Sequence, residues 1–124
     1  MAASPQAYRQ GAVLAATPTQ LVVMLHDGAR RFLRQAAVAM RDGEIERAHV
    51  TLRRAEMIVA HLDGTLDLGQ GVVAERLHTL YGLFLAHLNS ARMNQEADKL
   101  DEVGEMLGEL REGWVQVDAE MEQA

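Results

Sequence analysis

Two Glu-x-x-His pairs, Glu46 with His49 and Glu75 with His78, are the residues of this chain whose types and spacing best suit chemistry. On a helix, residues three apart share a face. Two such pairs, with one inward Glu from each of two further helices, make the di-metal carboxylate site of ferritin-like bundles. Position along the chain argues against that use. Each pair falls near the N-terminal end of its own expected helix, and in an antiparallel hairpin those ends lie at opposite ends of the bundle. About seventeen residues separate their levels, which places the pairs roughly 25 Å apart. The helix expected first along the chain contains no Glu at all. A di-metal carboxylate enzyme is thus an alternative without its ligand set, and no cofactor or metal is expected.

The other chemistry-bearing residues are equally sparse. His26, His61 and His87 have no glycine-rich loop, nucleophile elbow or serine partner at a recognisable spacing, and read as surface or half-buried histidines. His61 is expected near Glu75 and His78 across a turn, as a weak adventitious metal or pH-sensitive cluster. The chain has no cysteine, hence no disulfide, thiolate nucleophile or cysteine metal site, and a reducing cytoplasm fits. No catalytic constellation emerges.

The elements that would hold these residues are helices. Leu, Ala, Met, Glu and Arg dominate a chain of 124 residues, one domain in size. Helices are expected at about 18–41, 44–66, 72–94 and 98–118, after a non-helical N-terminal arm at 1–17, with the bundle domain spanning 18–124. Thr17 as N-cap, Pro18 at the first helical position and Gln20 as capping-box partner mark the first start. Ile45, Ala48, Leu52, Ala55, Val59, Leu62 and Leu66 alternate three and four apart, as do Leu100, Val103, Leu107, Leu110, Trp114, Val117 and Met121. These are bundle seams. Short connections favour antiparallel neighbours, so the fold expected is an all-α, antiparallel up-and-down four-helix bundle. The last helix is expected to fray after Val117.

The third expected helix is odd. Besides Val73, Leu77, Leu80, Phe84 and Leu88 it carries Tyr81, Leu83 and Leu85, so apolar residues cover most of its circumference between 77 and 88. Such a helix needs cover on more than one side. The N-terminal arm around Tyr8, a partner polypeptide or a second copy could supply it. Gly28, inside the first helix, costs about 1 kcal/mol relative to alanine and points to something packed close to the backbone. Gly104 and Gly108, one turn apart, would likewise admit a neighbour.

The formal charge of −6 argues against a nucleic-acid partner. Residues 1–62 hold eight arginines against five acids, whereas residues 63–124 hold four bases against thirteen acids, so the halves should attract each other. Arg30, Arg31 and Arg34 read as a solvated or paired helix face. Neither a signal peptide nor an apolar run of about 18 to 20 residues is present, so the expectation is a cytosolic protein without membrane insertion.

The pattern Tyr8, Val13, Thr17 and Pro18, Leu21, Met24 and Leu25, Asp27 and Gly28 resembles the N-terminal region of the flagellin export chaperones, the FliS family. The likeness continues through Ala55, Ile58, Leu62, Thr65 to Asp67, Leu80 and Tyr81, Leu88, Ala91 and Asn94, and closes with Leu100, Glu102 and Val103, Leu107, Leu110, Arg111 and Trp114. It implies a chaperone that holds the C-terminal segment of flagellin in the cytoplasm, prevents its premature polymerisation and delivers it to the flagellar type III export apparatus. Further partners that the resemblance implies are the export gate, an anti-sigma factor and a flagellar assembly factor. His26 stands where the family usually has a tyrosine, and Gly82 with Leu83 replaces a more polar and aromatic pair. The groove residues expected are Tyr8, Leu21, Met24, Leu25, Leu77, Leu80, Tyr81, Phe84 and Leu88. Monomer and homodimer both remain open, the latter as a structural interaction protein packed through the third helix.

Overall fold

The computed structural model describes residues 4–123, apart from the side chains of Tyr8, Arg9 and Gln70. Helices α1 (Pro5–Ala15), α2 (Pro18–Arg41), α3 (Ile45–Gly64), α4 (Val72–Asn94) and α5 (Ala97–Gln123) follow one another, with a 3-10 turn at Leu68–Gln70. Among the described residues every element is helical.

The α2 start forms as its residues dictate. Thr17 Oγ1 accepts from the Gln20 backbone N–H at 3.1 Å, Gln20 Oε1 accepts from the Thr17 N–H at 3.1 Å, and Pro18 occupies the first turn. Both orphan donors are satisfied reciprocally. Gly43, at φ +75°, takes the chain from α2 into α3. Between α3 and α4, Asp67 accepts from the Gly69 N–H at 3.0 Å and Gly71 sits at φ +111°, which only glycine adopts without strain.

The segment expected as a non-helical arm is a helix. Ser4 caps α1 by accepting from the Ala7 N–H at 3.1 Å, and Pro5 stands in its first turn. This repeats the device of Thr17 and Pro18. α5 also runs on to Gln123 beyond the expected fraying point, its end tied to the start of α2 through Thr17 and Gln20 to Asp118 and through Thr19 to Met121.

α2 packs on α3 and α5, and α4 packs on the same two, so α2 to α5 close a four-membered ring of helices. Partner numbers fall along α5 as they rise along α2: Thr17 meets Asp118, Asp27 meets Arg111, Arg30 meets Gly104, and Arg41 meets Asp98 and Asp101. The core is built from Leu33, Leu52, Val59, Leu88, Leu100, Val103 and Leu107, all nearly inaccessible. Small Ala29, Ala36, Ala37, Ala48, Ala55 and Ala91 sit between them and admit close helix approach.

Charge attraction between the two halves is only partly as the composition implies. Arg41 pairs with Asp98 and Asp101 in the expected sense, but Arg111 with Asp27 and Arg92 with Glu56 place the base in the acidic half. The seam of α5 is closed at Leu100, Val103 and Leu107, then opens: Val117 and Met121 are exposed. α4 buries only Tyr81, Phe84, Leu88 and Ala91, leaving Val72, Val73, Leu83 and Met93 in solvent. Leu77, Leu80 and Leu85 pack partly against the core, so of the large apolar residues between 77 and 88 Leu83 is the one left exposed. Among the described residues, no helix is long and apolar enough to cross a membrane.

Candidate binding site

Four helices converge where the α5 seam opens. Pro18, Leu21, Val22 and Leu25 of α2, His61 and Leu62 of α3, Thr65, Leu66 and Asp67 beyond it, Tyr81 of α4 and Trp114 of α5 line a mostly apolar cavity of about 630 Å³. Leu21 and Leu25 of α2, and Leu62 and Leu66 at and just beyond the end of α3, each pair four residues apart, supply much of its apolar lining. The contact between α4 and α5 is the slightest in the ring. A furrow of about 300 Å³ between them is lined by Val73, Leu77, Leu110, Gly113, Trp114 and Val117. Trp114 belongs to both.

A polar pair backs the cavity. His26 is wholly buried, with Nδ1 2.8 Å from the Val22 carbonyl oxygen and Nε2 3.1 Å from the Tyr81 hydroxyl. A carbonyl only accepts, so Nδ1 carries the proton and Nε2 accepts from the Tyr81 O–H. Burial lowers the His26 pKa below its ordinary value of 6.5 and outweighs the opposing Val22 bond and Asp27 charge, while Arg111 lowers it further. Burial likewise raises the Tyr81 hydroxyl, partly countered by the neighbouring Trp114 indole. The imidazole is therefore neutral near neutral pH and the pair is a fixed hydrogen-bonded floor, not an acid or base aimed at a substrate.

Of the residues expected at the groove, Leu21, Leu25 and Tyr81 meet in the cavity, and Leu77 lies in the adjoining furrow. Leu80 lines a separate depression with Val72, Glu75, Arg76 and Thr79. Phe84 and Leu88 are core residues beneath, and Met24 is half-buried and lines neither hollow. Tyr8 falls within α1, and its side chain lies outside the described residues. Leu62, Leu66 and Trp114 were legible only as seam residues. Their place at the site follows from the register of the helices, which no local pattern encodes.

The Glu-x-x-His pairs are far from forming one centre. His49 takes a hydrogen bond from the Gln95 amide at 3.2 Å, at the C-terminal end of α4, whereas His78 meets Asp63 at 2.6 Å, at the C-terminal end of α3. The expected cluster of His61, Glu75 and His78 does not form, because Asp63 takes His78 and His61 turns to the cavity rim. Among the described residues no group of three or more His, Asp or Glu side chains is placed to hold a metal ion.

The lining of this cavity suits apolar side chains, and comparison with known proteins gives it a context. The family model described as flagellar protein FliS matches residues 1–121. The chain belongs to this FliS family. It is 31% identical over 110 residues to the flagellar secretion chaperone FliS of Bacillus subtilis, covering 89% of this chain and 82% of that one. Identity to the flagellar secretion chaperone FliS of Campylobacter jejuni is 33% over 112 residues, covering 90% and 88%. For that of Salmonella typhimurium it is 31% over 110 residues, covering 87% and 82%. The FliS family is a family of non-enzymatic chaperones. A neutral, fully bonded His26 beneath an apolar cavity is compatible with that.

Proposed function

We propose that this chain is a cytosolic flagellar export chaperone that binds the disordered C-terminal segment of flagellin, prevents its premature polymerisation and delivers it to the flagellar type III secretion apparatus. The observation that carries the reading is the apolar cavity of Leu21, Leu25, Leu62, Leu66, Tyr81 and Trp114 on a FliS-family bundle. A disordered terminus loses roughly 2 to 5 kcal/mol on ordering, which burial along an extended groove must offset. Helical segments laid into apolar grooves do this, and the furrow beyond Trp114 together with exposed Val73 and Leu83 extends the available surface.

In this reading α2 to α5 are an antiparallel up-and-down bundle forming the chaperone domain of 18–124, and residues 1–17 are a movable arm. Leu21, Met24, Leu25, Leu77, Leu80, Tyr81, Phe84 and Leu88 line or support the groove, and Tyr8 covers it when empty or touches the ligand when full. α1 suits that role: Val13 is half exposed and Leu14 is almost fully exposed, so its apolar side has no cover of its own. The export gate, an anti-sigma factor and a flagellar assembly factor are secondary partners for pull-down. Co-purification with flagellin, with and without its C-terminal ~40 residues, tests the function, since that length can wrap helices about 30 Å long. Retention of full-length flagellin and loss of the truncated form is the expected result. Equal retention of both removes the proposal.

A further inference from the structure

Beyond the cavity, a strip runs along the α2/α3 seam and ends in two arginines. Cross-helix contacts fix its register. Leu21 and Leu25 share the cavity with Leu62 and Leu66. A Cβ on Gly28 would lie 3.5 Å from Ile58 Cδ1 and 3.9 Å from an Arg31 guanidinium nitrogen. At the level of Phe32, the guanidinium carbons of Arg31 and Arg54 lie 5.9 and 6.0 Å from the centre of its ring. From Leu25 to Phe32 is about 10 Å, two turns of helix. Ile58 and Phe32 are half-buried, whereas Arg31 and Arg54 are exposed.

Arg41, Arg92 and Arg111 each have a carboxylate partner, but among the described residues no carboxylate stands within ion-pair range of Arg31 or Arg54. Two guanidinium groups held beside one aromatic ring are partly ordered before binding, and the guanidinium fork matches a carboxylate in two-point geometry.

Resting on the reading that flagellin is the ligand, we propose that Arg31 and Arg54 form a carboxylate clamp, which fixes the register of a bound segment whose apolar face occupies the cavity. An acidic side chain of that segment, about two turns from its cavity-filling residues, seats between the two guanidinium groups. Charge complementarity selects the occupant: the strip is mostly apolar along its length and carries its two arginines at its far end.

The test measures binding of a labelled flagellin C-terminal peptide to the full chain by fluorescence anisotropy, at about 50 mM and about 300 mM salt. Arg31→Gln with Arg54→Gln is compared with Arg34→Gln, an arginine of the same helix on the α5 side. The clamp requires the double variant to bind about tenfold or more weakly and with a flatter salt dependence. Arg34→Gln should bind as the parent does. Neutralising each acid of the peptide in turn should reveal one whose loss costs as much, and costs nothing further against the double variant. Equal affinity of parent and double variant overturns the clamp while leaving flagellin binding intact. So does a loss no larger than that of Arg34→Gln. A parent that binds no flagellin overturns both. If sedimentation shows a dimer of the parent that the double variant dissolves, the cations pair with acidic α5 of a second copy, and the clamp is rejected.

Discussion

The Arg30 guanidinium lies directly over Gly108: a Cβ built at that glycine would stand 3.0 Å from Arg30 Cζ, and Arg30 Nε donates to the Gly104 carbonyl oxygen at 3.2 Å. The two glycines, one turn apart on α5, thus differ in role. At Gly104 nothing lies within 4 Å of the place a Cβ would take, so only its carbonyl is used. At Gly108 the missing side chain leaves room for the Arg30 guanidinium.

That difference predicts unequal outcomes for the same substitution. Gly104→Ala should stabilise the fold by about 0.5 to 1 kcal/mol through helix propensity. Gly108→Ala should gain less or nothing, because Arg30 must swing away and lose its carbonyl bond. In an Arg30→Ala background the two alanines should become equivalent. Chemical denaturation of the double-mutant cycle reads this directly. A Gly108→Ala gain as large as that of Gly104→Ala in the parent contradicts the packing assigned to Arg30.

His26 should make stability depend on pH. Its folded pKa lies below the ordinary 6.5, because burial with Val22 and Tyr81 favours the neutral ring. The unfolded chain therefore binds the proton more readily, and stability rises with pH between the folded pKa and about 6.5. Full stabilisation is present above that value and is lost as the solution is acidified. Thermal unfolding at about pH 5.5 and pH 8 should show the loss in the parent, with a smaller loss in His26→Tyr, which cannot titrate in this range. Flagellin affinity should fall in parallel, because Tyr81 lines the cavity and holds the same hydrogen bond. Identical pH responses of the two proteins would remove His26 as the cause.

Gly28→Ala should be tolerated and stabilising by up to about 1 kcal/mol, since the new methyl meets Ile58 at an ordinary contact distance of 3.5 Å. The close packing that the glycine suggested in the sequence is there, but it leaves room for one methyl. Denaturant midpoints are sufficient to check this; a loss of stability would mean that Ile58 cannot yield.

How much was legible follows the range of the forces involved. The α2 start was readable because Thr17, Pro18 and Gln20 satisfy one another locally, and the α3 seam because Ala48, Leu52, Ala55, Val59 and Leu62 each need burial on one side. α1 was missed although Ser4 and Pro5 repeat the same start. Its apolar face is short, chiefly Val13 and Leu14, and those residues are exposed rather than packed. The cavity was half legible. Leu21, Leu25 and Tyr81 could be named from their own helices, but the meeting of Leu66 with Trp114 depends on how four helices are offset, a property of the whole ring.

Trp114 supplies the most direct check on the arm and the cavity together. It is the sole tryptophan of the chain, half-buried, and it borders both the cavity and the α4/α5 furrow. Filling either hollow replaces water beside the indole with apolar groups, so its emission should shift to shorter wavelength when a tryptophan-free flagellin C-terminal peptide is added. If the arm covers the empty groove, deleting residues 1–16 should shift the emission of the free protein to longer wavelength and tighten peptide binding, because the ligand no longer competes with α1. If the arm instead holds the ligand, the free protein's emission should stay unchanged and binding should weaken. Unchanged emission with unchanged affinity would dispose of any role for the arm, and a peptide that binds without moving the emission would place the groove away from Trp114.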